Sequence, residues 1–464
     1  MRQFSLSKDE WYTLRDDRTK RVDGISGFED FSLGITIDQT TSFASQVMAV
    51  IALNILSRWC RKITIEMQVD SICLLPYKNG EFLSNVLGQM MSDADPYGEF
   101  VFGSVDEDRV NEILIIGDSQ KAYGKPHVWI NGSGWISGIG YSKTGLHSSI
   151  TDCNIVGPAF ASSLGVAEIF KCAVGLPPKS RYHTYYSLYD FSKSNHFGEI
   201  ISPSISSRVD FGRVFQIGCG AVGSSVDFLL SLTNWNAVID LIDFDEVKVT
   251  DSNRSLTFNA FDAIDKKGKV DVCADLFKTS AFIPSPFMGG FSQFVSEGRY
   301  LDTPPDLILC LANEENIWST IQNNYPPLTL HATTTPNWGI NFGRHIPKKE
   351  WCIMCRFSKE IKSFFAPPCS EGIISNNDEG VTIHGVLPFL STTAAILILA
   401  EMAKMNLNDY PMNDNFIQFS HKESESRFIK LQRRTDAKCV CKDQIVYQYP
   451  REIRNSKFWK LVES

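Results

Sequence analysis

The chain has few of the features that mark exported, membrane-spanning or nucleic-acid-binding proteins. Charged residues lie near its start, where a signal peptide would need an apolar run, so export is not expected. The most apolar stretch, residues 385–404, contains a proline and several hydroxyl side chains, which predicts a buried helix and not a bilayer span. The net charge is −8 and no run of lysine and arginine forms a basic stripe. We therefore expect a cytoplasmic protein that binds neither nucleic acid nor membrane.

Length and composition fit a two-domain enzyme. The chain has 464 residues, of which 43% are hydrophobic and 12% aromatic, so it has ample material for more than one core. Residues 192–207 are polar and rich in serine, which is typical of a linker. We predict domains over residues 1–200 and 201–464.

The twelve cysteines point to chemistry or metal binding before disulfides, because a cytoplasmic chain keeps its thiols reduced. Two close pairs occur late in the chain. The first has the common C-x-x-C spacing, and the second is a tighter C-x-C. Two such pairs supply the four thiolates of a structural zinc ion, although four reduced thiols or a redox pair would give the same pattern. The predicted zinc ligands are Cys352, Cys355, Cys439 and Cys441.

A glycine-rich turn predicts nucleotide binding. Gly218, Gly220 and Gly223 have the G-x-G-x-x-G spacing, and apolar strand-like segments lie on both sides. Asp243 ends the second strand, 20 residues after the last glycine, where a carboxylate would hold a ribose hydroxyl. The helix near Ala221 would direct its positive end at a phosphate. Without the strands the glycines would predict only a turn.

The residues after this unit resemble the ThiF-type family of ubiquitin-like-protein activating enzymes. That family has D-x-D-x-V, then S-N-L-x-R-Q, then a lysine, and this chain has matching residues over a region that extends from 213 to 441. The resemblance implies a Rossmann-like adenylation domain that binds ATP and Mg²⁺. Arginine and lysine would stabilise the extra charge on phosphorus, whereas a dehydrogenase would have no such need. The matching residues are Asp243, Asp245, Asn253, Arg254 and Lys269.

The resemblance also assigns roles in two loops. Cys369 lies in A-P-P-C-S-E-G, where the family's crossover loop carries the cysteine that takes the acyl group as a thioester. An exposed cysteine without a role is the alternative. The family has a magnesium-binding aspartate after its fourth strand, but this chain has Asn313, followed by Glu314 and Glu315. Either Asn313 binds Mg²⁺, a glutamate replaces it, or activity is impaired.

The first half resembles a degenerate copy of the second. Residues 34–67 have the same strand, loop, helix, strand order, with Gln39, Thr40 and Thr41 in place of the glycines, and residues 157–171 resemble 387–403. We expect an inactive, related α/β half that contributes an arginine to the other half's site; the alternative is an unrelated substrate-binding domain. The candidate arginines are Arg15, Arg18 and Arg21, with a solvated basic helix start as the alternative. The candidate contacts to the cargo's tail are His331, Thr333 and Trp338, with strand packing as the alternative.

Together these observations predict an α/β enzyme: a Rossmann-like adenylation domain with a zinc-stapled C-terminal segment, preceded by the inactive half. It would adenylate the C-terminal carboxylate of a ubiquitin-like protein and pass it through Cys369 to a conjugating enzyme. The one-chain layout resembles activating enzymes of bacterial conjugation systems in antiviral (phage) defence, and a homodimer is possible. The alternatives are a sulfur-carrier-protein adenylyltransferase, which would not need this cysteine, and an inactive scaffold that binds a ubiquitin-like protein.

Overall fold

The structure is a computed structural model, and the part of the chain that it describes is an α/β fold with two β-sheets, each with parallel and antiparallel strands. The described residues are 4–22, 24–119, 121, 123–146, 153–176, 183–205, 209–312, 315–335, 338–356, 386–407, 410–411, 414–422, 426–433 and 449–463. Each sheet has eight strands.

The first sheet is built largely from isoleucine-rich strands, and its inner strands at residues 32–37 and 112–116 are buried along almost their whole length. Its strands are β1 (Ser32–Ile37), β2 (Lys62–Met67), β3 (Glu99–Phe102), β4 (Glu112–Ile116), β5 (His127–Ser133), β6 (Ile136–Gly140), β7 (Thr184–Ser187) and β8 (Lys193–Ser194). The helices of this half are α1 (Lys8–Lys20), α2 (Phe43–Ser57), α3 (Leu83–Ala94) and α4 (Val156–Ala173). The side chain of Ser7 caps α1 in a capping box with Glu10.

The second sheet follows the first along the chain. Its strands are β9 (Asp210–Ile217), β10 (Asn236–Asp243), β11 (Ile283–Met288), β12 (Leu307–Cys310), β13 (Leu328–Thr335), β14 (Gly339–His345), β15 (Phe416–Ser420) and β16 (Ile429–Leu431). The helices are α5 (Ala221–Ser231), α6 (Ala260–Ile264), α7 (Lys269–Asp275), α8 (Phe291–Ser296), α9 (Arg299–Asp302), α10 (Glu315–Asn323), α11 (Ile353–Arg356), α12 (Leu390–Lys404), α13 (Arg451–Arg454) and α14 (Lys460–Glu463).

The two sheets have the same topology. The first has the order β3-β2-β1-β4-β5-β6-β7-β8, and the second has β11-β10-β9-β12-β13-β14-β15-β16. In each, the first five strands in this order are parallel and the last three pair antiparallel. Helices α4 and α12 occupy equivalent places and carry matching buried ion pairs, Glu168–Lys171 and Glu401–Lys404. The predicted relation between the halves is therefore present in their architecture.

The helices between the sheets share one apolar core. This core contains buried residues of α2, α4, α5 and α12, so both halves contribute to it. Ser163 of α4 and Thr393 of α12 are hydrogen-bonded through their hydroxyls. Every residue of α12 is buried, which confirms the buried helix predicted within residues 385–404. Among the described residues, no helix is long and apolar enough to cross a bilayer.

The halves differ at the loop after their first strand. In the second half, residues 218–220 join β9 to α5; in the first half, residues 38–42 join β1 to α2 without a glycine. Buried Gln46 closes this longer loop, because its amide nitrogen donates to the carbonyls of Thr40 at 2.8 Å and Ile72 at 2.9 Å. Its amide oxygen accepts from the Leu74 backbone at 2.7 Å. These bonds tie the loop to residues 72–74, whereas the glycine turn of the other half borders a cavity.

Candidate active site

A cavity of about 450 Å³ lies at the carboxyl ends of the parallel strands of the second sheet, where α/β proteins bind ligands. The strands that end here are β9, β10 and β12, and the start of α5 also borders the cavity. The lining residues include Arg18, Gly218, Gly220, Asp243, Phe244, Asp245, Arg254, Lys269, Gly289, Gly290, Phe291, Ser292, Leu311, Ala312, Ala332, Thr334, Val386 and Ser391. Most of the predicted nucleotide-binding residues therefore meet at one place.

The three glycines of the turn serve different purposes. Gly218 has φ +100°, a conformation that a residue with a side chain rarely adopts. At Gly223 a Cβ would lie 2.1 Å from the carbonyl oxygen of Gly218, so this glycine permits close packing of α5 on the turn. A Cβ on Gly220 would meet no atom within 4 Å, because this position faces open space at the cavity. The turn thus leaves room for a ligand at the start of α5.

Asp243 fixes the turn as well as lining the cavity. One of its carboxylate oxygens accepts from the Cys219 backbone N–H at 2.7 Å, and the other accepts from that of Asp245 at 2.8 Å. Burial raises the pKa of Asp243, although these bonds and the charge of Lys269 oppose that effect. Its predicted contact with a ribose hydroxyl would have to use the remaining lone pairs of the two oxygens.

Cationic side chains and carboxylates alternate along one wall. Lys269 Nζ lies 2.8 Å from a carboxylate oxygen of Asp245 and 3.8 Å from one of Asp251, and Arg254 Nη2 lies 2.6 Å from the other oxygen of Asp251. Burial acts to lower the pKa of Lys269, but the nearby carboxylates outweigh it and raise this pKa above its ordinary value. Lys269 therefore stays charged. Asp251, which the motif comparison missed, connects the two cations.

Arg18 brings a further cation from the first half. It belongs to α1, which packs on the turn that ends at Asp251. Burial lowers the pKa of Arg18, and the nearby positive charge of Arg254 lowers it further. The other two candidate arginines are engaged elsewhere: Arg15 with Asp16 and Asp95, and Arg21 with Asp17. The structure thus selects Arg18 among the three.

Several predicted residues lie beside the cavity without lining it. Asn253 is 1% exposed, and its amide nitrogen donates to Thr19 Oγ1 at 3.2 Å. On β13, Ala332 and Thr334 line the cavity, whereas the predicted tail contacts His331 and Thr333 point to the opposite face. Trp338 is also buried, and its ring packs against two aromatic rings of the core. The alternation of a strand accounts for this one-residue difference.

A further part of the cavity lining was not indicated by the family motifs. Gly289 and Gly290 follow β11, and Phe291 begins α8. Phe244 also lines the cavity and is 55% exposed. A glycine pair directly after a strand was the available sequence signal, since small residues there allow close approach of a ligand to the backbone.

Half of the predicted zinc site lies within the described residues. The sulfur atoms of Cys352 and Cys355 are 3.6 Å apart, and both residues are buried beside Trp351 and Phe416. Two thiolates bound at about 2.3 Å to a tetrahedral ion would be about 3.8 Å apart, so this pair fits a zinc ion. Cys439 and Cys441 lie outside the described residues, as do Cys369, Asn313 and Glu314.

Two cysteines outside the predicted zinc pairs form a buried cluster with a carboxyl group. Ligand atoms of Cys219, Asp227 and Cys273 lie within 4.8 Å of one another, behind the glycine turn. Burial raises the pKa of both thiols and raises that of Asp227 to about 7. Gln216 donates to Asp227 at 2.9 Å. These shifts keep the two thiols protonated and place the titration of Asp227 near neutral pH.

Comparison with known proteins gives a family match in the first half and partial structural matches. Residues 32–185, about a third of the chain, match the family described as the BilD N-terminal domain. E. coli MccB with MccA is 18% identical over 50% of this chain and 66% of that chain, with a TM-score of 0.37. E. coli MccB with ATP is 18% identical over 50% of this chain and 66% of that chain, with a TM-score of 0.36. PaaA is 17% identical over 47% of this chain and 72% of that chain, with a TM-score of 0.36. This chain thus spans just under two thirds of these MccB chains. No curated protein matches.

Proposed function

We propose that the chain uses ATP to adenylate the C-terminal carboxylate of a ubiquitin-like protein. The observation that supports this most is the meeting of Arg18, Arg254 and Lys269 at the cavity that also contains Gly218 and Gly220. A polyphosphate bound beside the glycine turn would meet positive charge from both halves of the chain. Hydride transfer would leave these cations without a purpose, which favours phosphoryl chemistry over a dehydrogenase.

The proposed reaction joins a carboxylate oxygen to the α-phosphorus of ATP and breaks the bond to pyrophosphate. Negative charge builds on the phosphoryl oxygens in the transition state, and fixed cations stabilise it most when they need no reorganisation. Asp245 and Asp251 hold Lys269 and Arg254 in place before the reaction. The carboxylates therefore act as supports for the cations that act on phosphate.

Magnesium would neutralise part of the phosphate charge. It prefers carboxylate oxygen, and Asp245 fits this preference because it lines the cavity and its side chain is 40% exposed. Asn313, the other predicted ligand, lies outside the described residues. Asp245 and Asn313 are the residues that would hold the ion.

The proposal extends to a second step at Cys369, for which the sequence motif is the support. Its thiolate would attack the acyl carbon, form a thioester and release AMP, and a cysteine of a conjugating enzyme would then take the acyl group. The zinc ion held by the four late cysteines would be structural. Participation in an antiviral conjugation pathway, and assembly as a homodimer, belong to the same proposal.

Exchange of labelled pyrophosphate into ATP tests the first step. With a cognate ubiquitin-like partner, Lys269→Ala should lower the exchange by roughly 10²-fold or more, because it removes a preorganised charge. Lys267→Ala is the matched control, since Lys267 pairs with Asp262 and does not line the cavity. Equal losses in both variants would remove Lys269 from the mechanism. No exchange with any partner would favour the inactive scaffold.

A further inference from the structure

Two buried polar side chains at the end of α2 cross from the first half to the second. Asn54 is 1% exposed, and Arg58, which follows the last residue of the helix, is 2% exposed. They lie one helical turn apart, and Arg58 Nε donates to Asn54 Oδ1 at 2.9 Å. This bond therefore holds the two side chains next to each other where they extend toward the other half.

Both side chains donate to one short stretch of backbone, residues 252–258, here termed the 252–258 loop. Arg58 Nη1 makes two of these hydrogen bonds, at 2.5 and 2.9 Å, and Asn54 Nδ2 makes the third, at 2.9 Å. The accepting carbonyls, in that order, are those of Ser252, Phe258 and Leu256. Both ends of the loop are thus fixed by a single guanidinium group.

Burial of this guanidinium group is costly unless its hydrogen bonds are strong. Burial, together with a smaller effect of the charge of Arg15, lowers the pKa of Arg58 to about 9 against an opposing effect of Asp262. The group stays charged at neutral pH. Within the described part of the chain, its hydrogen bonds go to the Asn54 amide oxygen and the two backbone carbonyls. A charged donor strengthens each of these bonds, so they hold the loop firmly.

The 252–258 loop carries Arg254 to the cavity. The Arg254 side chain pairs with Asp251, directly before the loop, and its carbonyl accepts from the Ser391 hydroxyl. Ser255 Oγ is hydrogen-bonded to Ser224 Oγ of α5 at 2.6 Å. A shift of the loop would therefore move a cation of the active site relative to the glycine turn.

We infer that Arg58 is a positioning residue: it holds the 252–258 loop so that Arg254 and Asp251 keep their places at the cavity. The inference deepens the proposed function and rests on it for its catalytic consequence. The first half then contributes in two ways, with Arg18 at the cavity and Arg58 through the loop. An error of about 1 Å in such a group can cost about 10²-fold in rate.

The test compares Arg58→Lys and Arg58→Met with Tyr186→Phe in the full chain. Lysine keeps the charge but lacks the planar fork that reaches both carbonyls. Tyr186 also joins the halves, since its hydroxyl donates to the carbonyl of Ser426 at 2.8 Å, but it does not line the cavity. Amide hydrogen exchange reports the order of the 252–258 loop, and pyrophosphate exchange with varied ATP reports kcat and KM.

We expect both Arg58 variants to speed amide exchange in the loop and to lower kcat by up to about 10²-fold with little change in KM for ATP. Tyr186→Phe should leave both readouts near those of the unmodified chain. Unchanged loop exchange in the Arg58 variants, or an equal kcat loss in Tyr186→Phe, would overturn the inference. If Arg58→Met does not fold, Arg58→Lys and Asn54→Ala carry the comparison. If the unmodified chain exchanges no pyrophosphate, the proposed function fails, and loop exchange alone decides whether Arg58 holds the loop.

Discussion

Two arginines of α1 and the arginine that directly follows it should respond to alanine substitution in three different ways. Arg15 is fully buried and bonded to Asp16 and Asp95 at 2.6 Å each, Arg18 lines the cavity, and Arg21 pairs with Asp17 at a partly exposed position. They belong to one short stretch and carry the same charge, so differences between the variants report their surroundings.

The expected magnitudes follow from those surroundings. Arg15→Ala should lower the free energy of unfolding by about 3–5 kcal/mol, because it leaves buried carboxylates without a main partner. Arg21→Ala removes a helix-surface ion pair worth about 0.5 kcal/mol or less. Arg18→Ala should change stability by no more than about 1 kcal/mol, since the repulsion by Arg254 offsets the attraction by Asp251 and Asp17. Its loss from the cavity should slow pyrophosphate exchange by about 10²–10³-fold.

Urea unfolding at neutral pH and pyrophosphate exchange, measured on the same three proteins, separate these effects. Only Arg18→Ala should lower activity without lowering stability. Arg15→Ala should lower stability the most. An Arg18→Ala protein that is strongly destabilised yet exchanges pyrophosphate at the unmodified rate would refute an active-site role. A large loss of exchange in stable Arg21→Ala would show that a different face of α1 reaches the site.

Elemental analysis should find about one zinc ion per chain, and Cys439→Ser with Cys441→Ser should remove it; a cooperatively folded chain without metal would contradict the site. ATP and the ubiquitin-like partner should give a reductant-sensitive adduct that Cys369→Ala abolishes while pyrophosphate exchange continues. Exchange without any adduct in the unmodified chain would favour the sulfur-carrier adenylyltransferase. Burial lowers the pKa of His345 to about 4. Because the unfolded chain binds this proton near pH 6.5, stability should fall by roughly 3 kcal/mol as pH drops from 6.5 to 4, and His345→Asn should show a shallower fall.

Local sequence patterns predicted the strand, glycine turn and helix of the second half well. The glycine turn, the strand that ends at Asp243 and the start of α5 all lie where their spacing indicated. The repeat in the first half was also visible, because helices α4 and α12 kept similar residues at similar places. These features depend on backbone geometry within about thirty residues, which neighbouring residues largely decide.

Contacts between distant segments were predicted less well. The sequence could offer three candidate arginines but could not select Arg18, since selection depends on how α1 packs on the turn ending at Asp251. It placed His331 and Thr333 toward the cargo, whereas the alternate residues of β13 line the cavity. A strand pattern shows that its faces alternate, but when both faces are buried it does not show which one meets the site.

The sequence by itself determined the type of unit, its glycine turn and the residues available for phosphate chemistry, because these follow from local periodicity and backbone constraint. Only the tertiary structure decided which cations meet, that Asp251 joins Lys269 to Arg254, and that Arg58 of the first half holds the loop of the second. The physical reason is that the contacts between the halves join residues about 190 to 250 positions apart. Those residues are brought together by the packing of the two sheets around their shared core and not by local conformational preference.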